Sequence, residues 1–354
     1  MDILIGLVIS SIMLIYSVVK DVFIGIPLTL CLFIFCTIAY GRGYSFKEIF
    51  QIAYKGGEKS FIVGKILLLI GMVTASWMAS GTVEGMVYYG INLMNPRFFI
   101  LYTYIICTMV SYIMGTAFGT VGTIGLSLMC IAKMGNLNPN IVAGAIVAGA
   151  YFGDRCSPMS SSANLIANLT DTDIYTNIKN MLKTTVIPVL LCILIYFLFS
   201  LKYPLNLVEK GINEEILKYY KISIIVLLPA ILILVLSVFK IDVKKSMSLS
   251  IILAFIISYF YQDVGIKDFL YYSLFGYKIS SDTILSSIIK GGGVVSMLSA
   301  MYITFVSCAL AGVLEGTDLL SNVNKLLKNI DSRYKLFIYT CICSIMQLLE
   351  VINL

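Results

Sequence analysis

The chain has 354 residues, of which 59% are hydrophobic and 12% are charged, and its mean hydropathy is +0.95. Soluble globular domains carry about 25% charged residues, so this composition excludes a soluble protein and indicates an integral membrane protein. The net charge of +6 comes from basic residues in short loops between apolar runs. Such residues are topology signals, and they predict no nucleic-acid partner.

Apolar runs long enough to cross about 30 Å of hydrocarbon follow one another along the chain. They lie at 3–19, 22–40, 61–80, 98–114, 184–201, 220–239, 246–261, 292–313 and 336–349. The first run lacks a basic flank and a small-residue cleavage site, so we expect a retained helix and no signal peptide. The pattern predicts an all-α polytopic membrane protein.

Glycine, proline and polar residues interrupt the apolar sequence between 115 and 169. Irregular backbone at membrane depth is tolerated where it lines a cavity or is buried in protein, so this stretch predicts broken or re-entrant helices. If Lys133 and Lys179 are both cytoplasmic, the segment 138–177 enters and leaves the membrane from one side. Asp154 then lies near the tip of a hairpin.

A short motif recurs in the two halves of the chain, as "GTVEG" at 81–85 and "GVLEG" at 312–316. In the first half the loop after the run 22–40 is basic, whereas in the second half the basic loop precedes the run 246–261. Because basic loops stay in the cytoplasm, corresponding loops prefer opposite sides. This predicts an inverted-topology repeat, a common construction among secondary transporters, with the N-terminus in the cytoplasm.

The predicted organisation follows from this repeat. We expect a first repeat over 1–201, a connecting loop over 202–219 and an incomplete second repeat over 220–354. The second copy has no counterpart of the stretch 115–169, so the second repeat is expected to be truncated. On this reading the chain is either a fragment or a naturally shortened protein.

Three Gly-Thr pairs lie within "MGTAFGTVGTIG" at 114–125. Small residues four apart allow close helix packing in membranes, which is the simpler interpretation. The alternative is an unwound segment whose carbonyls and hydroxyls bind a small cation. Thr116, Thr120 and Thr123 are the candidate ligands.

The segment "GAYFGDRCSPMSSSANL" at 149–165 places Asp154 between a glycine and a proline. Proline disfavours helical geometry in the residue before it, so the helix should end here. An ionised carboxylate at membrane depth is costly, so Asp154 should be protonated, paired or bound to a cation. Arg155 is the candidate partner, and the alternative makes Asp154 a switch between a proton and a metal cation.

The polar residues that follow the proline allow two interpretations. These residues can satisfy freed backbone groups, or they can line a site for a hydrated ion or a small polar solute: Ser157, Ser160, Ser161, Ser162 and Asn164. Glu84 and Glu315, related by the repeat, are either solvated glutamates at helix ends or members of a proton relay. The chain contains no histidine, so a transported proton must travel on carboxylates or water.

The motifs "GTAFGTVGTIG" and "AGAYFGDRCSPMSSSANL" resemble the NhaC family of sodium/proton antiporters. The resemblance implies that Asp154 is the ion and proton site, with sodium as the metal ion bound there. It also implies a lining formed by Thr116, Thr120, Thr123, Ser157 and Ser160. Ser161 stands where many members of the family have an acidic residue.

We therefore expect a secondary sodium/proton antiporter of the cytoplasmic membrane, not an enzyme, with no cofactor besides the transported ions. Its expected partners are sodium, protons, the bilayer and a second copy in a homodimer. The first alternative is a coupled carrier of a small organic acid or amino acid, in which Arg155 and Asn164 contact the solute. The second alternative is an inactive fragment or a non-transporting membrane component.

Overall fold

The computed structural model describes residues 2–20, 22–169, 171–205, 212–239, 241–278 and 289–317, with Ser332, Tyr334 and Ile338. These residues are almost entirely helical, and the only strands among them are β1 (Tyr277–Lys278) and β2 (Lys290–Gly291), which pair antiparallel. Within the described ranges, six helical stretches are long and apolar enough to cross a membrane: Phe61–Ala79, Pro96–Met114, Ala117–Met134, Ile174–Lys202, Val243–Phe260 and Leu298–Gly316. The chain is thus an all-α polytopic membrane protein, as predicted.

The predicted runs and the observed helices differ in several places. The run at 3–19 corresponds to one helix, Asp2–Val19. The runs at 22–40 and 220–239 form shorter apolar helices, Gly25–Gly41 and Ile224–Val238. The run predicted at 184–201 begins ten residues earlier, at Ile174, because Asp173 accepts the backbone N–H of Thr176 and caps the helix. The run at 336–349 lies almost wholly outside the described residues.

The first of two compact units comprises residues 1–67 and 298–354. Its described helices are α1 (Asp2–Val19), α2 (Gly25–Gly41), α3 (Phe46–Glu58), the start of α4 (Phe61–Ala79) and the last one, Leu298–Gly316. Phe35 and Val313 are buried in its core. Gly56 of α3 lies against Gly312, where an added Cβ would come within 2.8 Å of the Gly312 Cα. Glycine at both positions therefore permits close contact of the two backbones.

The second unit comprises residues 68–297. After α4 it contains, in chain order, α5 (Thr82–Leu93), α6 (Phe99–Met114), α7 (Ala117–Thr120), α8 (Leu126–Met134), α9 (Pro139–Cys156), α10 (Ser161–Leu169), α11 (Ile174–Lys202), α12 (Ile212–Tyr219), α13 (Leu228–Val238), α14 (Val243–Phe260), α15 (Ile266–Phe275) and α16 (Gly293–Ser296). We label the last described helix, Leu298–Gly316, α17. Helix α12 lies inside the stretch that was predicted to be a connecting loop.

Helices α6 and α9 pack closely in the second unit through small residues. An added Cβ on Gly149 would lie 2.7 Å from the Tyr104 carbonyl oxygen, and one on Gly153 would overlap the Ser111 backbone. The Ser111 hydroxyl donates to the Gly149 carbonyl at 2.8 Å and accepts the Gly153 N–H at 3.0 Å. Small residues spaced four apart on α9 therefore allow a hydrogen-bonded contact between the helices.

Candidate functional site

The chain between α6 and α7 breaks within the Gly-Thr stretch. Gly115 has φ of +67°, a left-handed conformation that glycine adopts without a steric penalty. Thr116 is extended, and its hydroxyl accepts the Gly119 N–H at 3.3 Å, which caps α7. The stretch after it is helical, with a π-helical turn at Val121–Gly125. The prediction of an unwound segment is thus right at Gly115 and Thr116 and wrong for the rest of the stretch.

A second break separates α9 from α10, as Pro158 predicted. Helix α9 ends at Cys156, and α10 begins at Ser161. The Ser157 hydroxyl accepts the Met159 N–H at 3.1 Å, and the Asn164 side-chain amide donates to the carbonyls of Pro158 and Ser160 at 3.0 and 2.7 Å. Polar side chains therefore satisfy the backbone groups that the break leaves without helical partners.

The two breaks touch each other. A Cβ added to Gly115 would lie 2.6 Å from the Met159 carbonyl carbon and 2.7 Å from the Ser160 nitrogen. Two segments of irregular backbone are thus in contact at one place in the second unit, and both Gly115 and Ser160 are buried there. We call this contact the crossing. Crossed broken helices are where transporters of known architecture place ion and substrate sites.

Asp154 lies beside this crossing, in the last turn of α9, and is half-buried. The Ser162 hydroxyl donates to its carboxylate at 3.3 Å, and the backbone N–H of Ala117 lies beside the same carboxylate. The Ser160 hydroxyl donates to the Asp154 backbone carbonyl. The carboxylate thus faces the start of α7 and the start of α10, with only weak donors and no described cation against it.

Arg155 does not pair with Asp154. Its side chain is exposed, and its Nη2 donates to the Thr184 hydroxyl of α11 at 3.1 Å. The ion pairs of the described residues are Lys59 with Glu315 and Lys221 with Asp263. Neighbouring residues on a helix point about 100° apart, which separates the two charges although they are adjacent in sequence.

The three threonines of the Gly-Thr stretch have different positions. Thr116 lies at the crossing, whereas Thr120 and Thr123 lie further along the helical stretch and are buried. Thr120 donates to the Thr116 carbonyl at 2.9 Å, and Thr123 donates to the Gly119 carbonyl at 2.6 Å. Their hydrogens are therefore used within the helix, which leaves only the oxygen lone pairs for a ligand. No described contact joins Thr120 or Thr123 to Asp154.

The two glutamates of the repeated motif lie in different environments. Glu315 lies near the end of α17, is exposed, and is 3.9 Å from the ammonium of Lys59. Glu84 lies in the first turn of α5, is 0% exposed, and neither of its carboxylate oxygens has a hydrogen-bond partner in the described structure. The solvated interpretation is right for Glu315 and wrong for Glu84. A left-handed turn at Gly81 starts a new helix that carries Glu84 inward.

Sequence reasoning named Ser162 within the serine run but missed Ser111, and both side chains support the candidate site. Ser162 is the described side chain that donates to the Asp154 carboxylate, and Ser111 holds α9 against α6. The serine run pointed to this region but did not distinguish Ser162 from its neighbours. The glycines of α9 spaced four apart were the available signal for a close helix partner.

The described residues also limit the kind of ion that can bind. No group of three or more histidine, cysteine or acidic side chains among them is arranged to hold a metal ion. A cation at the crossing would therefore be bound by one carboxylate and by neutral oxygens. Unwound backbone carbonyls and the C-terminal ends of half-helices supply such oxygens in transporters.

Comparisons with known proteins identify the family. The Na+/H+ antiporter family matches residues 149–348, which is more than half of the chain. The malate-2H(+)/Na(+)-lactate antiporter of Bacillus subtilis is 32% identical over 307 residues, which cover 83% of this chain and 65% of that protein. The Na(+)/H(+) antiporter NhaC of Alkalihalophilus pseudofirmus is 28% identical over 332 residues, which cover 90% of this chain and 70% of that protein.

The name of a third relative refers to a different substrate. The arginine/ornithine antiporter ArcD of Halobacterium salinarum is 26% identical over 311 residues, covering 83% of this chain and 62% of that protein. The chain thus spans about two thirds of the length of these relatives. No solved structure matches it. The matched region includes the second helix break and Asp154, and the resemblance read from the motifs is confirmed: the chain belongs to the Na+/H+ antiporter family, a family of membrane transporters.

Proposed function

We propose that this protein exchanges sodium ions for protons across the cytoplasmic membrane by alternating access. The observation that carries the proposal is the half-buried carboxylate of Asp154 at the crossing of two helix breaks. Membership of the antiporter family supports the same reading. The ions are the transported substrates, and the proposed mechanism needs no bound cofactor.

Competition at one carboxylate couples the two fluxes in this mechanism. Asp154 binds either a proton or a sodium ion, so one ion displaces the other when the site opens to each side of the membrane. Coupling requires that the empty, unprotonated carrier reorients slowly. Thr116, Ser160 and Ser162 contribute neutral oxygens beside the carboxylate, and the C-terminal end of α9 adds a negative partial charge.

The test measures sodium-induced collapse of a preformed pH gradient in everted vesicles. We expect the parent chain to respond and Asp154→Asn to lose the response, because the amide cannot exchange a proton for sodium. The matched control is Asp171→Asn. Asp171 is exposed and has φ of +50°, a conformation that asparagine tolerates well. A response retained in Asp154→Asn, or absent from the parent, contradicts the proposal.

A second candidate function is the coupled transport of a small organic anion or amino acid. It is favoured by the exposed guanidinium of Arg155, which has no carboxylate partner among the described residues and donates only to Thr184. A guanidinium can bind a carboxylate through two parallel hydrogen bonds. Such solutes agree with the names of two relatives, one of which refers to malate and lactate and the other to arginine and ornithine.

The two functions are separated by solute binding in two variants. If solute-dependent stabilisation is lost in Arg155→Ala but kept in Asp154→Asn, the solute carrier is favoured. If neither variant nor the parent binds malate, lactate or arginine, this second function is abandoned.

A further inference from the structure

A second buried carboxyl group lies away from Asp154, in the first turn of α5. Glu84 is 0% exposed, and both of its carboxylate oxygens lack a hydrogen-bond partner among the described residues. Burying a charged group without partners is strongly unfavourable, and such groups are rare unless they have a function. Glu84 therefore needs an explanation beyond helix packing.

Two tyrosine hydroxyls lead from Glu84 toward the surface of the second unit. The Tyr220 hydroxyl lies beside the Glu84 carboxyl, outside normal hydrogen-bond geometry, and Tyr220 is only 6% exposed. The hydroxyls of Tyr220 and Tyr277 are 2.9 Å apart, and Tyr277 is half-buried. The solvent exposure of the side chains thus increases from Glu84 to Tyr220 and from Tyr220 to Tyr277.

Glu84, Tyr220 and Tyr277 form a cluster, and the side chain of a glutamine holds two of its segments together. The Gln262 side-chain amide donates to the Lys221 carbonyl at 3.0 Å and to the Ser80 carbonyl at 3.4 Å, and its oxygen accepts the Lys221 N–H at 3.2 Å. Gln262 therefore fixes the residue after Tyr220 against the turn that precedes α5. The cluster is built from three separate segments, and its geometry does not arise from a single helix end.

The described titratable groups that lie beside Glu84 are one thiol and two phenols. From α8, Cys130 lies beside it, while the phenols of Tyr220 and Tyr277 face it from the other segments. Helix α13 and the turn before it contain no titratable residue, and Glu214 and Lys218 of α12 are exposed. No described lysine or arginine neutralises the carboxylate, so a proton is the simplest partner for it.

We propose that Glu84, Tyr220 and Tyr277 form a second proton-binding site, in which Glu84 stores the proton and the two hydroxyls exchange it with the surface. On loading, a hydronium ion gives a proton to the Tyr277 oxygen and becomes water, while the Tyr277 hydroxyl proton passes to Tyr220 and the Tyr220 proton passes to the Glu84 carboxylate. Both tyrosines end neutral, and the reverse sequence releases the proton. The site does not include Asp154 and does not depend on sodium transport.

Infrared difference spectroscopy of the full chain in liposomes tests the site without a transport assay. We expect the carbonyl stretch of a protonated carboxylic acid in the parent, shifted by D2O and absent in Glu84→Gln. Glu315→Gln, at the exposed counterpart in the repeat, and Asp154→Asn should both keep this band. A band that persists unchanged in Glu84→Gln overturns the proposal, whatever the outcome of the sodium experiment.

Two conservative variants test the relay and remain informative if Glu84→Gln fails to fold. Tyr220→Phe and Tyr277→Phe each remove one oxygen and should keep the carboxylic acid band. We expect hydrogen–deuterium exchange of that band to slow by about 10²-fold, the effect of losing one positioned proton-transfer group. Tyr272→Phe, on a neighbouring ring that packs against Tyr277, is the control. Exchange as fast as in the parent would overturn the relay.

Discussion

Three acidic side chains show how environment decides what a carboxylate can do in this protein. Glu315 is exposed beside a lysine, Asp154 is half-buried at a helix break, and Glu84 is wholly buried. A solvated carboxylate simply remains ionised, whereas a poorly solvated one must find a proton or a cation. Ion exchange is therefore proposed for Asp154 and proton storage for Glu84, and no transport role is proposed for Glu315.

A fourth acidic side chain permits a prediction about pH. The pKa of Glu48 is lowered because its carboxylate accepts the backbone N–H and the hydroxyl of Ser45, each at 2.8 Å. This capping box stabilises the start of α3 while Glu48 is ionised. The stabilisation is fully present above the ordinary glutamate pKa of about 4.3 and is lost as the pH falls through the lower pKa of the folded helix.

Hydrogen–deuterium exchange of the first turn of α3 checks this prediction. After correction for intrinsic rates, we expect protection at neutral pH and its loss below about pH 4. Glu48→Gln should remove most of this pH dependence, and Glu58→Gln, at the other end of α3, should leave it intact. Equal pH dependence in the parent and in Glu48→Gln would show that the capping box does not contribute.

The contact between α6 and α9 makes opposite predictions for two glycines of one helix. A methyl group on Gly153 would overlap the Ser111 backbone, whereas one on Gly144 would meet only the Tyr196 hydroxyl oxygen, at 3.6 Å. Overpacking typically costs about 1–3 kcal/mol, while alanine is favoured over glycine in a helix by about 1 kcal/mol. We expect Gly153→Ala to lower the free energy of unfolding and Gly144→Ala to leave it unchanged or raise it.

The single tryptophan provides the measurement. Trp77 is buried in the second unit and donates to the Ser250 hydroxyl at 2.9 Å, so its fluorescence reports the loss of packing there on heating. The unfolding midpoint of Gly153→Ala should lie below that of the parent, and the midpoint of Gly144→Ala should equal or exceed it. A Gly153→Ala midpoint equal to that of Gly144→Ala would mean that the two helices do not pack closely.

Local sequence patterns predicted where the helices break, but they could not predict which charged side chains are buried. Pro158 disfavours helical geometry in the residue before it, so the end of α9 could be predicted from the local sequence. The burial of Glu84 depends on Tyr220 and Tyr277, which lie far away in the sequence. The separation of Arg155 from Asp154 likewise depends on Thr184 of another helix. Tertiary contacts of this kind have no signature in composition or periodicity.

The path of the chain through the membrane remains a prediction of the charge pattern. Helix α9 has 18 residues and is about 27 Å long, which is close to the thickness of the hydrocarbon core. Helix α11 has 29 residues and exceeds that thickness, so its first turns can lie outside the core.

Thiol labelling tests this topology. In a chain whose native cysteines are replaced by alanine, we expect Lys133→Cys and Lys179→Cys to react with a membrane-impermeant reagent in everted vesicles and to be protected in intact cells. Both lysines are exposed on the second unit, so accessibility within the protein is not limiting. Labelling of the two positions from opposite sides would contradict the hairpin.

The hydroxyl of Ser111 restricts how the second unit can move. It holds two backbone groups of α9 one turn apart, the Gly149 carbonyl and the Gly153 N–H. Sliding α9 along α6 by one turn, about 5.4 Å, would break both hydrogen bonds and force a glycine surface against larger side chains. We therefore expect α6 and α9 to keep this contact if the second unit changes conformation, and we expect bending at the helix breaks that follow Met114 and Cys156, at the C-terminal ends of both helices.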